Sequence, residues 1–402
     1  MMRRWFLAAA LLQDLLHAQS KDSARWNIQY FYDRDGKDLH IADLAFPSAK
    51  RGIAVGTIID REGRKPQFTS LVTSDAGEHW ALTPLKEFPR SIFFLDESNG
   101  WMVTGESLWF TQEAGRSWSR ISDQIKPDKK LAGAPHGGLI LRVWFLDAQH
   151  GYAVGLQKSA FETHDGGRTW KPLAEAAAPT SNPAYTLYSH IAFADGRRGV
   201  IAGAYVPPRT AGRSREEREE EGDLPDWMHP ETALHRRQQP RLIIELDTRD
   251  GGGTWKSGTA PLLGSVVSAR LAGETGLLVF DYADSFELPA EVYRLDLKTG
   301  KSESVFKKKD RLVTDAAIFV DGANREGAHA FLAAVEPPGR LRSAPIPGKV
   351  RMLSSTNLKD WVEMPVDYRA VAQSLVLAGP DADHLWAATD TGMILRLSVA
   401  PR

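Results

Sequence analysis

The chain contains no cysteine in its 402 residues, which excludes disulfide bonds and thiolate metal sites. It also lacks a charge of one sign: 50 Lys and Arg stand against 51 Asp and Glu, a formal net charge of −1. No basic balance argues for nucleic acid, and no acidic excess argues for disorder. The chain has no HExxH or similar helical pair of histidines, so neither a metal nor another cofactor is expected. No apolar run is long enough to span a bilayer as a mature helix. The longest, Trp5–Leu12, follows Met1-Met2-Arg3-Arg4 and precedes small residues near Ala18–Ser20. A basic start, a short apolar stretch and small residues at its end read as a secretory signal peptide over 1–20. Asp14 and the cleavage context depart from the ideal. The expected location is outside the cytoplasm, periplasmic or extracellular.

What is abundant is a repeat, Thr-x-Asp-x-Gly-x-x-Trp. It occurs at Thr73–Trp80, Thr163–Trp170 and Thr248–Trp255, with Glu replacing Asp at Thr111–Trp118 and a worn copy at Ser354–Trp361. A motif returning every 40–50 residues or so points to a propeller or solenoid. Asp can accept hydrogen bonds from the amides that follow it, and Gly supplies a positive φ without a Cβ penalty. Each copy therefore reads as a hairpin turn whose Trp packs between sheets. Asp75, Asp165 and Asp250, with Trp80, Trp118, Trp170, Trp255 and Trp361, are assigned as structural. Turns so dispersed cannot all converge on one catalytic or metal site.

A second repeat lies upstream of these turns. Phe46, Phe94, Phe145 and Phe193 each precede a glycine by six residues, at Gly52, Gly100, Gly151 and Gly199. Short apolar strands follow, such as Tyr152-Ala153-Val154-Gly155. Weaker units appear at 267–280, at 317–333 with Phe319 in the Phe column, and at 375–388. This makes seven units, four strong and three eroded. The last has little room for a fourth strand, whereas Trp26–Tyr32 lies outside the repeats. The expected fold is all-β: one seven-bladed β-propeller of four-stranded antiparallel blades over 21–402, closed by the N-terminal strand.

A charged insertion at about 207–240 interrupts the beat. It carries Ser214–Glu221 with capping-box spacing, then Trp227 and Met228 in a charged collar. It reads as a solvated excursion or as a partner-binding flap anchored by Trp227.

The Phe…Gly-Trp/Tyr-Ala-Val-Gly strand pairs followed by Thr-x-Asp-Gly-Gly-x-Thr-Trp resemble the BNR/Asp-box propellers, and among them the photosystem II assembly and stability factors with their bacterial relatives. The resemblance covers about residues 26–399. It implies a non-catalytic, exported, monomeric scaffold that holds a partner protein. The alternative is a glycoside hydrolase, sialidase-like or xyloglucanase-like, acting on extracellular glycans. A sialidase needs an arginine cluster and the Phe/Tyr-Arg-Ile-Pro signature, and the nearest text here is Ala45-Phe46-Pro47-Ser48. A xyloglucanase resembles two propellers, and this chain holds one. No catalytic residue is assigned.

A partner protein, or alternatively a glycan, should meet the channel mouth and the loops that a rigid scaffold positions there. Asp43, Ser91, Arg142 and His190 occupy equivalent inner-strand positions, and Arg90 and Asp315 lie near them. Arg90, Arg142, His190, Asp315 and Trp227 are the expected partner-binding residues. Trp144 is read as blade-to-blade core or as a channel-facing platform. Arg142→Glu is expected to weaken partner binding without changing the melting temperature.

Overall fold

The computed structural model describes residues 24–34, 36–62, 65–123, 138–206, 242–260, 264–282, 288–320, 328–336 and 346–399. The leader at 1–20 and the 207–240 insertion, with Trp227, lie outside the described residues. Runs of β-branched and aromatic residues bounded by glycine and polar turns form seven antiparallel sheets around one axis. Blades I to VI span 37–85, 89–123, 140–172, 186–260, 265–307 and 312–364 in chain order. Each runs from an innermost to an outermost strand as the chain proceeds. Blade VI gains a short extra strand, Val371–Ala372, which pairs with Gly348–Ser355.

Blade VII is completed from the other end of the chain. Its three inner strands lie at 375–398, and Arg25–Phe31 adds the fourth, with Trp26 opposite Leu397 and Phe31 opposite Met393. Trp26 is fully buried among Val350, Ala372 and Leu395, so the closing strand is locked by an indole as well as by its ladder. Closure leaves no open edge between the first and last blades. Seven four-stranded blades and the N-terminal strand closing them are as the sequence predicts.

The Phe column packs the blades together. A Cβ at Gly52, Gly100, Gly151 or Gly199 would stand 2.3–2.5 Å from the ring of Phe46, Phe94, Phe145 or Phe193. Only glycine admits the ring there. The Phe ring also meets the turn Trp of its own blade edge-on: Phe46 with Trp80, Phe94 with Trp118, Phe145 with Trp170 and Phe193 with Trp255. On their other side Phe46, Phe145 and Phe193 stack on the aromatic residue that opens the second strand of the preceding blade. Trp101 lies on Phe145, and Trp386 of blade VII lies on Phe46. Trp101, Trp386, Tyr152 and Phe145 are among the largest fully buried side chains of the core.

The recurrent turns are closed by side-chain hydrogen bonds. In blade III, Thr163 Oγ1 donates to Asp165 Oδ1 and accepts from Gly167 N, while Asp165 accepts from Thr169 N and Thr169 Oγ1. Gly166 and Gly167 both have positive φ. Two details differ from the sequence reading. The worn copy begins functionally at Ser355, not Ser354: Asn357 Oδ1 accepts from Asp360 N, Leu358 takes the left-handed position, and the turn is one residue shorter. Phe319 is not in the Phe column. Ala317 pairs with Phe331 as Ala45 pairs with Ile53, so Ile318 is the equivalent of Phe46. Phe319 packs edge-on against Phe331 instead.

Candidate functional site

Six of the seven innermost strands bulge at the same place. The ladder shifts between Ile41 and Asp43, Pro89 and Ser91, Ile140 and Arg142, Tyr188 and His190, Val266 and Ser268, and Val313 and Asp315. A bulge re-aims the side chain that follows it. The six residues after the bulges form a polar ring near the axis: Asp43, Ser91, Arg142, His190, Ser268 and Asp315. Below them, toward the hairpins that join first and second strands, lies a central cavity of about 300 Å³. Its walls include Arg142, Arg270, Phe93, Trp144, Leu271 and Phe319.

The two carboxylates of the ring are committed to holding blades together. Asp43 is buried and accepts from Leu44 N at 3.0 Å and from Ile92 N of the next blade at 3.0 Å. Asp315 does the same between blades VI and VII, accepting from Ala316 N and Leu377 N at 2.8 Å, and from Ser268 Oγ of blade V. Burial holds the Asp43 carboxyl above its ordinary value, although Arg142 and the two amides pull the other way.

The arginines are less consumed. Arg142 stands 3.6 Å from Asp43 with its side chain 39% exposed, and Arg270 reaches Asp315 at 2.8 Å with its side chain 38% exposed. Each pairs with a carboxylate of another blade and lines the cavity, and Arg270 also donates to the Ala316 and Leu377 carbonyls. Burial, reinforced by both arginines, pushes His190 well below the ordinary histidine range. It is therefore neutral at physiological pH, and Ser189 Oγ lies 2.9 Å from its Nδ1. Trp144 lines the cavity, flanked by Phe93 and Phe193 at ring-centroid distances of 5.0 and 6.1 Å. It is both interblade packing and cavity wall.

Of the expected binding residues, Arg142 lines the cavity, His190 sits half-buried in the ring above it, and Asp315 is buried as an interblade staple. Arg90 is itself the bulged residue of blade II, with its guanidinium over the Phe88 ring. Asp43 also changes what Arg142→Glu should do. The substitution would set a second carboxylate beside a buried one, so an unchanged melting temperature is not expected. Sequence reasoning missed Arg270. The signal was available: aligning Ser268 with Asp43 would have placed Arg270 on the cavity wall two residues later.

No protein-family model and no curated protein sequence matches the chain. Solved structures do. YCF48 bound to a D1 peptide superposes with a TM-score of 0.54 at 13% identity, over 92% of this chain and 99% of that one. YCF48 from Cyanidioschyzon merolae gives 0.55 at 14%, over 93% and 98%. An ancestral GH74 enzyme gives 0.52 at 11%, over 90% of this chain and 45% of that one. At these identities the likeness is one of fold, a propeller shared by a peptide-binding protein and by glycosidases. No helix among the described residues is long and apolar enough to cross a membrane.

Proposed function

We propose that this protein is a non-catalytic, exported Asp-box propeller, similar to the photosystem II assembly factors, that holds an extended segment of a partner protein at its central cavity. The observation that carries this reading is the pairing of two partly exposed arginine side chains, Arg142 and Arg270, with an aromatic wall of Phe93 and Trp144. Guanidinium groups fork onto carboxylates, and an indole beside them accepts an apolar side chain. The fitting occupant is an acidic peptide, or a chain end, with a neighbouring apolar residue. The solved YCF48 complex contains a peptide, which supports a peptide as the class of ligand.

The glycoside-hydrolase alternative needs two facing carboxylates free to exchange protons. Among the described residues, Asp43 is the one carboxylate on the cavity wall, and main-chain amides already occupy both of its oxygens. This favours the scaffold reading. A pull-down from envelope and secreted extract, with the full chain and an Arg142→Gln variant as baits, tests it. A specific protein client lost by the variant supports the proposal. Retention of polysaccharide alone, or of nothing, counts against it.

A further inference from the structure

A cluster of two histidines and a glutamate lies outside the cavity lining, on the face of blade III that meets blade IV. Strands Gly151–Gly155 and Ala160–Thr163 pair with Gly151 opposite Thr163 and Tyr152 opposite Glu162. Extending that register by one residue sets His150 opposite His164. Alternation then puts His150 and Tyr152 from one side, and Glu162 and His164 from the other, on a single face of the sheet. The contacts agree. His150 Nε2 is 2.8 Å from Glu162 Oε1, His164 Nε2 is 3.4 Å from Glu162 Oε2, and the two imidazoles stack with centroids 4.7 Å apart.

From this convergence we infer that His150, Glu162 and His164 form a binding site for a first-row divalent metal ion of the zinc class. Their three ligand atoms all lie within 4.8 Å of one another. Ligands about 2.0–2.1 Å from a tetrahedral zinc ion stand roughly 3.3–3.5 Å apart, so modest side-chain adjustment would centre an ion among them. Two imidazoles and one carboxylate are a donor set that zinc accepts, with a fourth position left to water. His164 is 61% exposed, which gives the ion a way in.

The ligands are presented by backbone that is already locked. Asp147 Oδ1 accepts from Gln149 N and His150 N, which fixes the turn carrying His150. His164 sits inside the recurrent turn, between Thr163 and Asp165, whose hydrogen bonds hold it. Behind the cluster, the Tyr152 hydroxyl donates to the Gly251 carbonyl of blade IV at 2.9 Å and lies 3.2 Å from Glu162 Oε1 and 2.9 Å from His150 Nε2. A Cβ at Gly252 would collide with that hydroxyl, so the neighbouring turn is shaped around it. Asp147 lies within electrostatic range of both histidines, adding negative potential for a cation.

The test titrates Zn2+ into the metal-free full chain against a chromophoric chelator near neutral pH, and records the melting temperature with and without Zn2+. The wild type is expected to take up one equivalent and to melt higher with zinc. His164→Ala, a change at an exposed position that leaves the fold intact, should weaken uptake at least ~10-fold and abolish the thermal shift. Glu162→Gln should do the same. His79→Ala, the exposed histidine of the blade I turn, should behave as wild type. Absence of saturable uptake by the wild type would overturn the proposal. So would uptake unchanged in both ligand variants, or weakened equally by His79→Ala.

Discussion

Trp101 lies face to face with Phe145 across the joint between blades II and III, centroids 3.7 Å apart and planes 9° from parallel. The Trp101 indole also donates to the Gly166 carbonyl in the turn of blade III at 3.0 Å. One side chain thus fastens a blade to both the hairpin and the turn of the next. Trp101→Ala is expected to cost about 3–5 kcal/mol. A double-mutant cycle with Phe145→Leu should give a coupling of about 0.5–1.5 kcal/mol. Urea unfolding of the four proteins measures both.

Gly151 is the complement of that ring. A Cβ there would stand 2.5 Å from Phe145. Gly151→Ala is expected to destabilise by about 1–3 kcal/mol through overpacking. Phe145→Leu in the same chain should recover part of the loss, as blade VI already sets an aliphatic residue, Ile318, opposite an alanine, Ala330, at this position. Chemical denaturation of the single and double variants reads this directly. A double variant less stable than both singles would contradict the packing account.

Acid should act on the turns and on the ring at different pH. Asp165 is held at about 2 by hydrogen bonds from the Thr169 hydroxyl and amide, and Asp250 at about 2 by the same bonds from Thr254. Both lie below the ordinary carboxylate value, so their contribution is whole above that value and is lost as pH falls through about 2. His190 titrates in a different window. Its folded value lies well below 6.5 because of burial, so the unfolded chain takes up the proton first. Stability should therefore decline as pH falls below about 6.5. His190→Gln should flatten that decline. Asp43, raised by burial, acts in the opposite sense, so the comparison of variant with wild type isolates the histidine. Urea midpoints across the acid range check both effects.

Much of this architecture is legible in the chain because each blade repeats its own contacts. Phe145 and Gly151 are six apart since the ring must cover the glycine across one hairpin, and Thr163, Asp165 and Gly167 are spaced by the bonds they make to one another. Both signals are local. Where packing changed, the text misled: Ile318 replaced the Phe of blade VI, and the adjacent Phe319 drew the alignment one residue away. The shortened turn at Ser355 shifted its apparent start in the same way. Arg270, and the convergence of His150 with Glu162 and His164, depend on register between strands and on contacts between blades. Single-chain spacing carries neither until the pairing is known.

Arg142 and Arg270 should differ in their effect on the fold. Arg270 makes the closer ion pair, at 2.8 Å to buried Asp315, and also donates to the Ala316 carbonyl. Arg270→Gln is expected to lower the melting temperature more than Arg142→Gln, whose partner Asp43 stands 3.6 Å away and keeps its two amide bonds. Differential scanning calorimetry of the two variants decides the order. Equal losses would mean that the interblade staples at Asp43 and Asp315 do not depend on their arginines.

The most direct measurement is calorimetric titration of the full chain with short synthetic peptides. The set would vary Glu or Asp beside Phe or Leu, each peptide made with a free and with an amidated C-terminus. The expected result is saturable binding of the carboxylate-bearing, aromatic-containing peptides. Arg142→Gln should weaken it by ~10-fold or more, about 1.4 kcal/mol, and Trp144→Ala by a similar factor. Binding that ignores peptide charge, or that survives both substitutions unchanged in folded protein, would contradict a cavity built to hold an acidic segment.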